Sequence, residues 1–477
     1  MSTKPDLPPV AQLDRQFVWH PFTQMRDWRK REPIVIVSGQ GAVLRDARGK
    51  EYLDANSSIW TNLHGHRHPA INAAIIKQLG KIAHSSALGL ANEPASRLAA
   101  KLVSSAGYAK TRKLKWVFFS DDGSTAIEAA LKMAWQFAIR SGRSRKPKFL
   151  SLQSAYHGDT VGAMSLGHMD LFHKSHSGLL FKTDSVPAPY CYRCPFNRAK
   201  PERADARLYR QCNWECTNAM DQKFAAQKKK GGPYAAFVFE PLMQGAAGMI
   251  AQPEGWLRSA ARIARGHGAL LIADEVLTGF GRTGPTFACQ KESVGPDLMA
   301  LAKGMSGGYL PMAATLATDQ IFNVFLGRYD ELKTFFHGHS YTGNQLGAAA
   351  SLASLELLES ARSIRARATL EKALSDALRS LWKLPNVGDI RQVGLMAGVE
   401  LVKNWKTREP FPLQTRAGQR VCEAMARRGV LTRPVGNVIV LMPPFCTTPE
   451  QVRRMVASLR QSVEEIFGSR SSSDHLG

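Results

Sequence analysis

The chain has 477 residues, 44% of them apolar and 21% charged, a globular composition that excludes an intrinsically disordered chain. No uncharged apolar run approaches the roughly 20 residues that span a bilayer. The opening MSTKPDLPPVAQLDRQF lacks the apolar core of a secretory signal, so a cytoplasmic protein with no membrane partner is expected. The formal net charge is +24, from 63 Lys and Arg against 39 Asp and Glu, and the longest basic run is Lys228-Lys229-Lys230. No helix-turn-helix pattern, RNA-binding sheet motif or zinc-finger spacing accompanies that charge. It reads as a solvated surface, and no nucleic-acid partner is assigned.

The first 30 or so residues are polar and contain proline, and are read as an arm. Short apolar runs at 34–37, 42–44 and 51–53, punctuated by Gly39, Gly41 and Gly49, predict a small strand meander. Residues 68–105 read as helices. From about residue 115, apolar runs at 116–119, 149–152, 236–239, 269–273, 298–302 and 313–317 alternate with helical stretches. The runs are continuously apolar, as in strands covered on both faces. This predicts an α/β domain with a mostly parallel sheet. A long helix is expected from 346 to about 363, then short strands at 393–401 and 438–442. The polar tail SRSSSDHLG is expected to fray. The predicted division is 1–94 for the arm and part of a small domain, 95–345 for the large α/β domain, and 346–477 for the rest of the small α+β domain.

Seven cysteines, an odd number, argue against a disulfide framework. Four cluster as Cys191, Cys194, Cys212 and Cys216. The CxxC and CxxxC spacings are compatible with tetrahedral zinc. Reduced thiols on a polar inserted loop are the simpler reading, and no metal site is assigned.

Three constellations carry chemistry. Ser120-Asp121-Asp122-Gly123-Ser124 lies between a predicted strand and a predicted helix. The pattern Thr125-x-x-Glu128 fits a helix cap and places Gly123 and Ser124 at the helix N-terminus, where free amides and the dipole favour a phosphate. Asp274-Glu275 closes the run at 269–273, at the strand edge where α/β proteins bind ligands. Lys303 leaves a buried run for a turn containing Gly304, Gly307 and Gly308. Its desolvated amine would have a lowered pKa and could form a Schiff base. A phosphate cradle, an acid to keep a pyridine nitrogen protonated, and an amine for an aldehyde are what pyridoxal 5'-phosphate requires.

The run LLIADEVLTGFGRTG (270–284) followed by DLMALAKG (297–304) resembles the class III, or omega-type, aminotransferases of the fold-type-I pyridoxal-phosphate superfamily. The resemblance covers roughly residues 17–465. Within that class the chain looks most like the diaminopelargonic acid aminotransferases of biotin synthesis. The segments carrying this are WHPFTQM (19–25), SSIWTNLHGH (57–66), SDDGSTAIEAALKMA (120–134), YHGDTVGAMSLG (156–167), HGHSYTGNQLG (337–347) and LTRPVGNVIVLMPP (431–444).

The resemblance implies transamination of 8-amino-7-oxononanoate to 7,8-diaminononanoate. S-adenosylmethionine is the expected amino donor. The alternatives are lysine, or a different omega-aminotransferase acting on diamines or omega-amino acids. It also implies a homodimer with shared active sites. Residue by residue, Lys303 would be the Schiff-base lysine and proton carrier, and Asp274 would pair with the pyridinium nitrogen. Gly123 and Ser124 would bind the phosphate, and Tyr156 would stack on the ring and contact substrate. His339 and Ser340, after Gly338, would complete the phosphate site from the neighbouring subunit. Glu240 and Gln244 would lie near the cofactor's hydroxyl side. Arg433 would bind a substrate carboxylate, Trp60 and Gly338 would contact substrate, and Arg282 would sit near the site. Three positions depart from the common pattern: Phe22 stands where many members have Tyr, Ile59 where many have Trp, and Ser340 where Thr is usual.

Overall fold

The computed structural model describes residues 9–107 and 113–468. The tail SRSSSDHLG, residues 469–477, lies outside the described residues, so its expected fraying does too. The six apolar runs expected as strands enter one seven-stranded sheet. Across it run Leu114–Ser120, Ala313–Thr318, Leu298–Leu301, Leu270–Asp274, Ala236–Phe239, Phe149–Leu152 and Asp184–Val186. Ala313–Thr318 is antiparallel to both neighbours, and the other pairings are parallel. The strand without a forecast, Asp184–Val186, is three residues long, with the sequence DSV.

Helices cover both faces of the sheet, which is why its inner strands Ala236–Phe239 and Leu298–Leu301 are apolar throughout. The helix Gly123–Arg140 packs Ile127, Leu131 and Ala134 against Ile272, Leu298 and Ala300. On the opposite face Trp256–Gly266 and Glu215–Gly231 pack against Phe237 and Leu271. At roughly 1.5–3 kcal/mol per fully buried large apolar side chain, these layers supply the main force holding the sheet.

The meander forms as Ile36–Gln40, Val43–Asp46 and Glu51–Asp54, all antiparallel. Its last strand then pairs in parallel with Val430–Leu431, nearly 380 residues later in the chain. N-terminal and C-terminal segments therefore share one sheet. The helix expected over 346–363 ends at Glu359. Ser360 turns extended, and its hydroxyl accepts from the Ser363 N–H to cap a second helix, Ala361–Leu378. The strand expected at 393–401 is two strands, Val387–Val393 and Met396–Asn404, joined at Gly394-Leu395 as a hairpin.

Candidate active site

The carboxyl ends of the parallel strands converge on one cavity of about 930 Å³, within the range of small-molecule sites. Glu240 follows Ala236–Phe239, Asp274 ends Leu270–Asp274, and Lys303 comes two residues after Leu298–Leu301. These three strands are adjacent and in parallel register, Ala273 opposite Phe239 and Asp274 opposite Ala300. Tyr156 and His157 come from the loop after Phe149–Leu152, the next strand over. Strand order thus brings together residues far apart in the chain, and all five line the cavity with Gly123, Ser124, Trp60 and Arg433.

The anion corner is built differently from the forecast. The helix starts at Gly123, and its cap is Asp122, whose carboxylate accepts from the Thr125 N–H at 3.1 Å. Thr125 Oγ1 accepts in return from the Asp122 N–H. Glu128 takes no part in the cap; it accepts from the Gly162 and Ala163 N–H groups instead. With Thr125 satisfied by the cap, the first two amides, those of Gly123 and Ser124, are ones a helix cannot bond internally. With the dipole behind them they are suited to bind an oxyanion. Gly158 lies against this corner with φ +125°, and a Cβ there would stand 1.9 Å from Ser124 Oγ.

The acid and the amine sit over a buried charge cluster. Asp274 accepts from Val276 N–H at 3.0 Å on one oxygen and meets His157 Nδ1 at 2.7 Å with the other. Burial opposes a charged His157, but the Asp274 bond and the charges of Asp274 and Glu240 outweigh it, so the imidazole pKa is raised. Burial raises the Glu240 carboxyl to about 7, with His157 and the Gly245 and Tyr156 N–H groups pulling the other way. Burial lowers the Lys303 pKa, against the pull of Asp274 and Glu240. That is the direction a nucleophilic amine needs. Tyr156 donates from its hydroxyl to Asp159 at 2.8 Å, and the Asp159 N–H donates to Ser124 Oγ.

Facing Lys303 is a wall in an unusual conformation. Ser57, Ser58, Ile59 and Trp60 have φ of 47, 48, 63 and 69°, so Ser57–Trp60 is a turn of left-handed helix. For non-glycine residues this costs about 1–2 kcal/mol each. Ile59 and Trp60 line the cavity, and the Trp60 ring centroid is 4.9 Å from Lys303 Nζ. Trp60 Nε1 is buried without an acceptor. Phe22 also lines the cavity and meets Phe172 edge-on at 5.4 Å.

Some expected residues lie elsewhere. Gln244 is fully buried outside the lining and donates to the Gln153 carbonyl. Arg282 is buried beside Phe445, donating to the carbonyls of Pro443 and Asn62, again outside the lining. Gly338, His339 and Ser340 do not line the cavity of a single chain. His339 Nδ1 stands 3.4 Å from Asp121, a lining residue, and Ser340 is exposed. Cys191, Cys194, Cys212 and Cys216 line a separate cavity of about 20 Å³ with Arg210 and Trp214. All four are free thiols, and among the described residues no three or more His, Cys, Asp or Glu stand as a metal-ligating group. Reasoning from the sequence missed His157, whose only signal was its place between Tyr156 and Gly158. It also missed Met169, Leu171 and Phe172, which lie on a short helical excursion.

The family model for aminotransferase class III matches residues 25–463. The chain is a class III aminotransferase. It is 47% identical over 465 residues to the adenosylmethionine-8-amino-7-oxononanoate aminotransferase of Geobacter sulfurreducens, spanning 97% of this chain and 99% of that one. The crystal structure of the Methanocaldococcus jannaschii protein of the same name matches with a TM-score of 0.87 and 40% identity, covering 96% of this chain and 98% of that one. An amine transaminase from an uncultivated Pseudomonas species, solved in its PLP-bound form, matches with a TM-score of 0.85 and 31% identity, covering 94% and 98%.

Enzymes of this class depend on pyridoxal 5'-phosphate, and the residues of this aminotransferase fit that group. The amides of Gly123 and Ser124 suit its phosphate, with a corner so tight at Gly158 that no side chain enters. The Asp274 carboxylate, fixed by His157, suits a protonated ring nitrogen, and the desolvated amine of Lys303 suits an aldehyde.

Proposed function

We propose that this aminotransferase converts 8-amino-7-oxononanoate into 7,8-diaminononanoate for biotin synthesis, with S-adenosylmethionine as amino donor. The supporting observation is near-full-length similarity to proteins of that name, at 47% identity to the Geobacter sulfurreducens one. The cavity is consistent with it, since it offers both an amine, Lys303, and a guanidinium, Arg433, between apolar walls. Among the described residues Arg433 has no carboxylate within ion-pair distance, so its charge is available to the acid end of an aliphatic acceptor.

Pyridoxal phosphate, when bound, supplies a ring that draws electrons away from the amine-bearing carbon. The protein's own residues do the rest. The Gly123 and Ser124 amides would hold the phosphate, and Asp274 would keep the ring nitrogen protonated. Tyr156 would pack over the ring, and Glu240 would lie at its hydroxyl side. Lys303 would hold the aldehyde carbon between turnovers. Its Nζ, when free, would be the base that moves a proton at the substrate carbon. Trp60 and Phe22 would exclude water above it.

The enzyme would act as a cytoplasmic homodimer, the stretch 338–340 of a second subunit completing the phosphate corner. The exposed Phe336 and Tyr341 flanking that stretch suit such a contact. No helix among the described residues is long and apolar enough to cross a membrane. The test is a donor panel with 8-amino-7-oxononanoate as acceptor. Product with S-adenosylmethionine carries the proposal. Product with lysine alone changes the donor, and failure to aminate this acceptor from any donor overturns the assignment.

A further inference from the structure

The left-handed turn Ser57–Trp60 needs something to hold it. Backbone bonds from Trp60 N–H to the Asn56 carbonyl and from Thr61 N–H to the Ser57 carbonyl close the turn, but they do not select its hand. Asp54 supplies the constraint. Asp54 is 2% exposed, and its carboxylate accepts from the Asn56 N–H at 3.3 Å, the Ser58 N–H at 3.0 Å and the Ser58 hydroxyl at 2.9 Å. Its remaining bond is from His66 Nε2 at 3.0 Å. His66 Nδ1 in turn takes a bond from Asn62 Nδ2, and Asn62 Oδ1 takes one from the Gly65 N–H. One carboxylate thus grips the chain entering the turn and, through His66 and Asn62, the chain leaving it. Ser57 Oγ donates to the Met442 carbonyl at 2.6 Å and pins the same turn to the C-terminal segment.

Asp54 itself does not line the cavity, whereas Asn56, Ile59, Trp60 and Thr61 all do. Beyond Trp60 the chain is packed tightly on the Lys303 loop. A Cβ on Gly308 would stand 2.9 Å from the backbone of Thr61 and Asn62. A turn that relaxed toward the ordinary right-handed form would therefore carry Trp60 away from Lys303 and not merely bend the surface.

We propose that Asp54 is a positioning residue for transamination: it holds Ser57–Trp60 left-handed and so sets Ile59 and Trp60 as the substrate wall facing Lys303. This rests on the transaminase reading of the cavity. The Asp54→Asn variant keeps the side-chain volume but presents an N–H toward the donors of Ser58. It is expected to raise KM for donor and acceptor about tenfold, the scale of a lost charge-assisted hydrogen bond, while kcat changes less than about threefold. Hydrogen exchange of the backbone at residues 55–63 in the apoprotein should speed up, with exchange in the central sheet unchanged.

Adding Ser58→Gly removes the steric penalty on the left-handed hand without touching the lining. In the double variant both the exchange rate at 55–63 and KM should return most of the way to wild type. Wild-type KM in Asp54→Asn overturns the proposal. So does faster exchange without a KM change, which would make Asp54 a structural residue only, or restored exchange without restored KM. If Asp54→Asn does not fold, Ser58→Ala, which deletes one of the four bonds, should show the same split on a smaller scale, and its absence overturns the proposal equally. If the wild type ignores 8-amino-7-oxononanoate, the assigned acceptor fails. Exchange at 55–63, and KM for whichever donor amine converts the bound cofactor, still decide on Asp54.

Discussion

The imidazole of His157 meets the carboxylate of Asp274 at 2.7 Å at the buried floor of the cavity. Folding raises the His157 pKa, because the Asp274 bond and nearby charge outweigh the burial that opposes it. A pKa raised by folding stabilises the native state fully below the unfolded value of about 6.5 and loses that stabilisation as pH climbs through the folded value. Melting curves of the apoprotein from pH 6 to 9 should therefore show wild type losing stability toward the alkaline end relative to His157→Phe. Parallel curves would mean that folding leaves the His157 pKa unshifted.

Glu240 has the opposite sign. Burial lifts its carboxyl to about 7 from 4.5. The charged form is therefore disfavoured by folding, at no cost below pH 4.5 and at increasing cost up to about pH 7. Glu240→Gln keeps an acceptor for the Gly245 N–H and cannot ionise. Its stability relative to wild type should rise between pH 4.5 and 7 by on the order of 3 kcal/mol, then level off. A constant difference over that range would place the titration elsewhere.

Gly158 is where the phosphate corner tolerates least. Its φ of +125° and the 1.9 Å gap to Ser124 Oγ leave no room for a methyl group. Gly158→Ala should displace the first turn of Gly123–Arg140 and weaken pyridoxal-phosphate retention about 10- to 100-fold, measured by equilibrium dialysis. Retention at the wild-type level would show that the phosphate lies elsewhere.

Much of this site was legible in the sequence because parallel sheets place chemistry in a regular way. A long apolar run ending in a polar residue gave Asp274 and Lys303, and a Gly-Ser pair before a helical pattern gave the anion corner. Details that depend on packing were hidden. Thr125 and Glu128 looked like a cap by spacing, yet Asp122 takes that place, since it is the last extended residue before the helix and its carboxylate reaches the Thr125 N–H three residues on. Arg282 looked like a site residue by motif, but its guanidinium is spent on the Pro443 and Asn62 carbonyls. The left-handed turn at Ser57–Trp60 has no local signature, because none of its four residues is glycine.

Lys303→Ala should give a folded protein that binds the cofactor without a covalent link and lacks the aldimine band of the wild type. Wild type should be yellow, absorbing near about 410–430 nm. Turnover should fall to background, because no other amine lines the cavity among the described residues. Measurable transamination in the variant would mean that another base moves the proton.

Arg433 tests the acceptor. It lines the cavity but is exposed, so its attraction for a carboxylate is screened and worth about 1–2 kcal/mol, less than the 2–5 kcal/mol of a desolvated pair. Arg433→Leu should raise KM for 8-amino-7-oxononanoate roughly 5- to 30-fold and leave kcat nearly unchanged. The methyl ester of that acceptor separates charge from packing. Against wild type the ester should lose as much as the mutation costs, and against Arg433→Leu it should lose nothing more. If esterification raises KM by the same factor over the free acid with both enzymes, the carboxylate is held by a different residue.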